Sequence, residues 1–385
     1  MNVDFLSPVE KVVLAHNQLL PKQALGRSIK IHTEQEGIPD LSGIQIALIG
    51  IKETRKAHFQ PNQKISFSNM RIALYELFYG NWNTSIADLG DIESGDTVED
   101  TYYAVSTVMR ELLQKKIIPV LIGGGHDLTY ATYRAYDKLG QMVNLVSVDS
   151  KFDFGGTDEL ISSESYMSKI IVEKPNNLFN FCNIGYQTYY NAQEEIDLID
   201  KLFFDAYRLG QISEDITIVE PLLRDADIVS IDMTAVKSTE LLGKNHIYPN
   251  GFDSREICAI ARYAGISDSV SSFGIYENEN TPQCSQLTAQ MIWYFVEGVN
   301  YRKNDYPYTS HESYEKYIVP IEEEELSFYK SDISGRWWIE VPLIPDLNNK
   351  LKRHALLPCT HQDYLDACNQ IIPERWWRAY KKTIV

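Results

Sequence analysis

Four side chains suited to a hard or borderline divalent metal recur in the middle of this chain: His126, Asp149, Asp153 and Asp232. An imidazole and three carboxylates brought to one point form the donor set expected of a hard or borderline divalent ion. Each arrives at the end of a short apolar run. IIPVLI leads into Gly123-Gly124-Gly125-His126-Asp127, MVNLVSV into Asp149-Ser150-Lys151-Phe152-Asp153, and Asp227-Ile228-Val229-Ser230-Ile231 into Asp232. Runs of that length, bounded by glycine and charge, read as buried parallel strands. Open α/β sheets build their sites at the carboxyl ends of such strands. A lone histidine would read as a hydrogen-bonded core residue; arriving with three aspartates, His126 reads as a ligand. Asp127 reads as its supporting neighbour, orienting the loop or the ring. The three glycines lack the P-loop lysine and the G-x-G-x-x-G spacing, so a phosphate loop is not indicated.

With SNMRIALYEL and IADLGDI before them, and PNGFDSREI and FGIYENEN after, these motifs resemble the arginase, agmatinase and formimidoylglutamase family of ureohydrolases over roughly residues 44 to 300. The resemblance implies an α/β fold of three layers, α-β-α, with a mainly parallel sheet. It implies hydrolysis of linear amidine or guanidine C–N bonds with Mn(2+), a cationic small-molecule substrate, and a homo-oligomer. For the metal it implies His126 and Asp153, with Asp149 and Asp232 as bridging carboxylates. Two positions depart from the family pattern. Lys151 stands where the family has the histidine of D-A-H-x-D, and Thr234 where it has the second aspartate of S-x-D-x-D. Both positions serve the second ion alone, so at most one ion per chain is expected, and none is the other expectation.

A protonated lysine has three donors and no lone pair, so it neutralises carboxylates without ligating. Salt bridges from Lys151 to Asp149 and Asp232 are therefore expected, with three aspartates balanced by one divalent ion and one ammonium. Asp149, Lys151 and Glu277 are the expected catalytic groups. Lys151 would assist deprotonation, and Glu277, at the end of SVSSFGIYE, would pair with the planar amidine cation. A solvent-facing Glu277 is the bland alternative. No histidine lies between His126 and His246, so the family's proton-carrying histidine is missing from its expected place. Phe181 to Gln187, an apolar strand followed by Gly185-Tyr186-Gln187, resembles the formimidoylglutamase branch. Two functions follow. One is a formimidoylglutamase-like hydrolase with one metal site intact; the alternative is an inactive pseudoenzyme whose Lys151 replaces the second metal and which acts as a binding or scaffold protein.

Three segments are expected: residues 1–43, an N-terminal helix and connection; 44–300, the ureohydrolase-like domain; and 301–385, a Trp-rich extension. A hydrophobic content of 44% in 385 residues supports a large packed core. A net charge of −17 argues against nucleic acid, whose binders present basic faces. Five cysteines without a C-x-x-C pair suit reduced thiols, and neither a signal pattern nor a membrane-length run is seen, so a cytoplasmic protein is expected.

Among the elements, Ser7, Pro8 and Glu10 predict a capped helix start, and Ser68-Asn69 caps a second helix. Ile44 to Ile51 is the first buried strand, followed by a loop, Lys52 to Lys64, that borders the site or is simply solvated. Thr97 to Lys115 and Asn191 to Gly210 read as amphipathic helices, and Asp253 or Ser254 caps another. Ser230 is expected to support its turn through the backbone. His246, in a loop, either reaches the pocket or is exposed. In the extension, Arg336-Trp337-Trp338 and Arg375-Trp376-Trp377 predict a small core with cations stacked on indoles, folded back on the main domain. A protein-partner surface is the sharper alternative there. Glu322 to Glu325 reads as an acidic linker.

Overall fold

The main sheet, whose central strands are apolar runs covered on both faces, is formed by eight strands. They are β1 (Ile46–Ile51), β2 (Ile86–Ile92), β3 (Ile118–Gly123), β4 (Val143–Val148), β5 (Leu178–Tyr186), β6 (Asp205–Arg208), β7 (Ile228–Asp232) and β8 (Ser272–Tyr276). The computed structural model describes residues 5–58, 64–155, 160–243, 247–307, 313–321, 324–342 and 356–384. Every residue of β1, β3, β4, β7 and β8 is buried, as strands sandwiched between helical layers must be. The strands pair in parallel in the order β2-β1-β3-β8-β7-β4-β5-β6, and two-residue strands at Leu6–Ser7 and Lys30–Ile31 add to β2. The chain builds outward from β1 to β2, then from β4 to β6, and returns to fill the middle with β7 and β8. The four central strands, β3, β8, β7 and β4, therefore meet where the winding reverses, the place where open sheets leave a crevice.

Apolar cores lie on both faces of the sheet. Helix Val98–Gln114 covers one face and starts on a capping box in which Thr97 and Asp100 satisfy each other's backbone N–H. Helices Ser254–Ile266 and Pro282–Asn300 cover the other, the first capped by Asp253 with Glu256. Arg71 is fully buried between Asp88 at 2.8 Å and Asp91 at 2.7 Å, which explains the SNMRIALYEL and IADLGDI motifs as one internal ion network. Removing one member would strand a buried charge.

Several local expectations are corrected. The first helix is Lys11–Leu19 without a side-chain cap, and Ser7 lies in a strand paired to β2. Glu10 instead accepts hydrogen bonds from the hydroxyls of Ser66 and Ser68, so Ser68 does not cap its own helix, Ser68–Glu76. The segment from Asn191 to Gly210 is not one helix. A helix at Gln193–Lys201 is followed by β6, because Phe204 and Tyr207 find apolar cover beside β5 that overrides helical spacing.

The extension is a second, antiparallel sheet of Tyr314–Ile321, Glu324–Ser331, Trp337–Glu340 and Leu356–Cys359, with helices His361–Cys368 and Glu374–Ile384. Glu324 and Glu325 lie in a strand rather than a linker; Glu322 and Glu323 fall outside the described residues. Trp337 and Trp376 sit in its core with Phe328 and Ile339. The extension does fold back on the main domain, but its own arginines are not the stacked cations. Arg224 of the main domain lies 4.8 Å over Trp338 and donates to the Trp337 carbonyl at 2.7 Å, while Arg336 pairs with Glu220 at 3.0 Å. Arg378 donates to the Phe204 carbonyl beside β6. The edge of the parallel sheet is thus covered by the extension.

Candidate metal centre

The carboxyl ends of β3, β4, β7 and β8 carry His126, Asp149 with Asp153, Asp232 and Glu277 to one spot. The His126 ring nitrogen Nδ1 lies 3.2 Å from Asp149 Oδ2, 3.1 Å from Asp153 Oδ2 and 3.3 Å from Asp232 Oδ2. All four residues are buried, His126 completely. Among the described residues, His126, Asp149 and Asp153 form a group whose ligand atoms all lie within 4.8 Å of one another. Neighbouring ligands of an octahedral ion, at metal–ligand distances of about 2.1 Å, stand about 3 Å apart, so this spacing fits a single divalent cation. Asp149 Oδ2 is a buried acceptor with no hydrogen-bond donor among the described residues, so its lone pairs are available to a cation.

Electrostatics point the same way. Burial, with Asp149 alongside, pushes the Asp153 carboxyl well above its ordinary range. Burial also works against a charged His126 ring, yet Tyr166 and the three carboxylates hold its pKa well above the usual value. A buried cluster of acids that raises the basicity of its imidazole is a cluster short of positive charge.

The other ring nitrogen is fixed by its neighbours. His126 Nε2 lies 2.9 Å from Ser230 Oγ, which is 2.6 Å from Thr129 Oγ1, and the Tyr166 hydroxyl is 3.3 Å away. A proton on Nε2 donated to Ser230 leaves the Nδ1 lone pair facing the carboxylates. Ser230 thus holds the ring through its hydroxyl, not its turn through the backbone. Ser230→Ala is expected to weaken manganese binding by about 10–100-fold, measured by calorimetric titration, with the fold retained.

The loop that carries His126 needs its glycines for closeness. A Cβ on Gly124 would sit 1.8 Å from the Glu53 carbonyl oxygen, which accepts the Gly125 N–H at 3.2 Å. Asp127 anchors the same loop, accepting from Tyr102 at 2.5 Å, and burial pushes its pKa up to about 6. Asp153 and Glu277 both adopt left-handed backbone angles, φ +56° and +55°. That conformation costs about 1–3 kcal/mol for such residues and concentrates at functional sites.

Lys151 and Thr234 sit beside the cluster, but not as expected. The Lys151 backbone N–H donates to Asp149 Oδ1 at 2.9 Å, and that of Thr234 to Asp232 Oδ1 at 2.6 Å. The Lys151 ammonium forms its salt bridge with Glu164, not with Asp149 or Asp232. Its pKa is raised because Glu164 outweighs the burial penalty. The charge balance written from the sequence therefore fails: Lys151 is neutralised by Glu164, and three aspartates with one divalent ion leave a net charge of −1.

Glu277 is buried, not solvent-facing. Its carboxylate accepts from the His58 N–H at 3.0 Å, the His126 N–H at 3.1 Å and the Ser163 hydroxyl at 2.6 Å, tying three loops together. Burial, followed by the charge of Asp232, raises its pKa to about 7. Ser163 and Glu164 lie in the segment that the family resemblance marks for substrate contacts, whereas His58 and Tyr248 were not singled out from the sequence. The available signal was the loop after β1, which does border the site. His246 lies outside the described residues, as do Gly156 and Thr157. No helix among the described residues is long and apolar enough to cross a membrane.

Comparison with known proteins places this geometry in context. The model of the arginase family matches residues 44–297. The formimidoylglutamase of Streptococcus gordonii is 20% identical over 293 residues, covering 69% of this chain and 88% of that protein. That of Staphylococcus aureus strain MSSA476 is 28% identical over 182 residues, 45% of this chain and 57% of that one. Among solved structures, Trypanosoma cruzi formiminoglutamase with Mn2+2 superposes with a TM-score of 0.61 at 18% identity, over 69% of this chain and 96% of that one. Formimidoylglutamase from Bacillus subtilis gives 0.60 at 17% identity, over 69% and 90%.

Proposed function

The chain belongs to the arginase family, and from that premise we propose that it hydrolyses linear amidines, as a formimidoylglutamase-like enzyme, with one manganese ion per chain. The observation that carries this reading is the imidazole nitrogen held 3.1–3.3 Å from three buried carboxylate oxygens. His126, Asp149, Asp153 and Asp232 would hold the ion. The bound ion supplies the Lewis acidity that makes water a nucleophile near neutral pH.

The remaining chemistry belongs to the chain's own residues. A site carrying −1 beside Glu277 attracts an amidinium or guanidinium and discriminates against neutral amides. Glu277 positions the His126 loop and contributes negative charge above its pKa of about 7. Tyr166 and Ser230 fix the ring that ligates. The Lys151 ammonium, paired with Glu164, offers no lone pair to a second ion, in keeping with one ion only.

The test is turnover by purified, manganese-loaded protein of N-formimidoylglutamate, a plain N-alkyl formamidine, arginine and agmatine, with products followed by NMR. Release of formamide from the formimidoyl compounds, lost on chelation and restored by manganese, is expected. Manganese-loaded protein that leaves all four intact would sink the proposal and favour the pseudoenzyme.

A further inference from the structure

The family's proton-carrying histidine is missing after Asp153, yet an imidazole from a different loop is tied to the same carboxylate that holds the His126 loop. The His58 backbone N–H donates to both oxygens of Glu277 at 3.0 Å, and Glu277 in turn accepts the His126 N–H. His58 is thus fixed one residue away from the ligand loop, while its ring remains partly open to solvent. Nδ1 lies 3.2 Å from Glu164 Oε1 and Nε2 3.2 Å from the Tyr248 hydroxyl, with the two rings stacked. A carboxylate on Nδ1 fixes the ring's orientation, and the hydroxyl on Nε2 is a partner that can pass a proton on from that nitrogen, which is how an acid–base imidazole is set up.

Resting on the amidine-hydrolase reading, we propose that His58 carries the proton from attacking water to the departing amine, oriented by Glu164. For R–NH–CH=NH2+, the water oxygen bonds to the amidine carbon and His58 takes the proton released. The bond from that carbon to the R–NH nitrogen then breaks with its electron pair on nitrogen, which receives the proton from His58. The second water proton follows as the carbonyl forms, giving R–NH3+ and formamide, and His58 returns to its starting state. The groups facing His58 suit this cycle. Glu164 raises its pKa above the ordinary 6.5, burial and Lys151 oppose the rise, and Glu277 adds to it. Glu164 itself is held down to about 2, first by His58 and also by Lys151, so it stays ionised through the working range.

The decisive experiment uses full-length, manganese-loaded protein and the formimidoyl substrates. His58→Ala is expected to lose about 100-fold or more in kcat, with manganese content unchanged and added imidazole restoring part of the rate. Glu164→Gln should move the pH profile of kcat to lower pH, with the His58 ring pKa, read by NMR, falling alongside it. A purely structural His58 would give no imidazole rescue. If the parent turns over and His58→Ala stays within about threefold of it, the role of His58 is overturned while the amidine hydrolase stands. If the parent turns over no substrate, both fall together.

Discussion

Asp149→Ala is expected to lower manganese affinity by about 100-fold or more, beyond the 10–100-fold attached to loss of an outer partner. Asp149 Oδ2 is buried, lacks a hydrogen-bond donor among the described residues, and points at the His126 ring. Removing it leaves three of four ligands. The same change relieves repulsion with Asp153, whose pKa is pushed up by burial and then by Asp149. Metal-free Asp149→Ala is therefore expected to melt no lower than the metal-free parent. The two proteins separate only when manganese is added. At 100 times its dissociation constant, a ligand stabilises the native state by about 2.7 kcal/mol, so the parent's Tm should rise with manganese while that of the variant stays still. A variant that retains the manganese-dependent rise would show that the ion binds elsewhere.

Lys151→His combined with Thr234→Asp is expected to raise the stoichiometry from one manganese ion per chain to two. The pair removes one positive charge and adds one negative charge, a change of −2 that a single divalent ion offsets. Asp149 Oδ1 and Asp232 Oδ1 each accept a backbone N–H, from residues 151 and 234. A carboxylate oxygen has two lone pairs, so each retains one for a second ion. Thr234→Asp alone adds an acid next to Asp232 with nothing to neutralise it, and should bind no second ion while destabilising the fold. Calorimetric titration of the single and double variants checks this. A double variant that still takes up one ion would mean that residues 151 and 234 do not border a second subsite.

The convergence of His126, Asp149, Asp153 and Asp232 was legible in the sequence because each strand end is local. An apolar run and the polar residue that closes it already fix which side chain emerges at the sheet edge, and four such ends converge by topology. The destination of the Lys151 ammonium was not legible. Glu164 is 13 residues away in the sequence, and no periodicity says which acid a long lysine side chain will reach. His58 was hidden for the same reason. Its position depends on Glu277 accepting its backbone N–H across 219 residues. In the fold, β6 was lost inside a predicted helix because a four-residue strand gains its stability from β5 rather than from its own pattern. The tryptophans of the extension were correctly read as a core with cations on indoles, but the cations are Lys330 and Lys381 of the extension and Arg224 of the main domain rather than the neighbouring arginines.

One count tests the account most directly. Parent protein saturated with manganese, freed of loose ion by gel filtration and analysed by atomic emission should carry one manganese per chain. Two per chain would contradict the assignment of Lys151 and Thr234, and none would contradict the ligand set of His126, Asp149, Asp153 and Asp232.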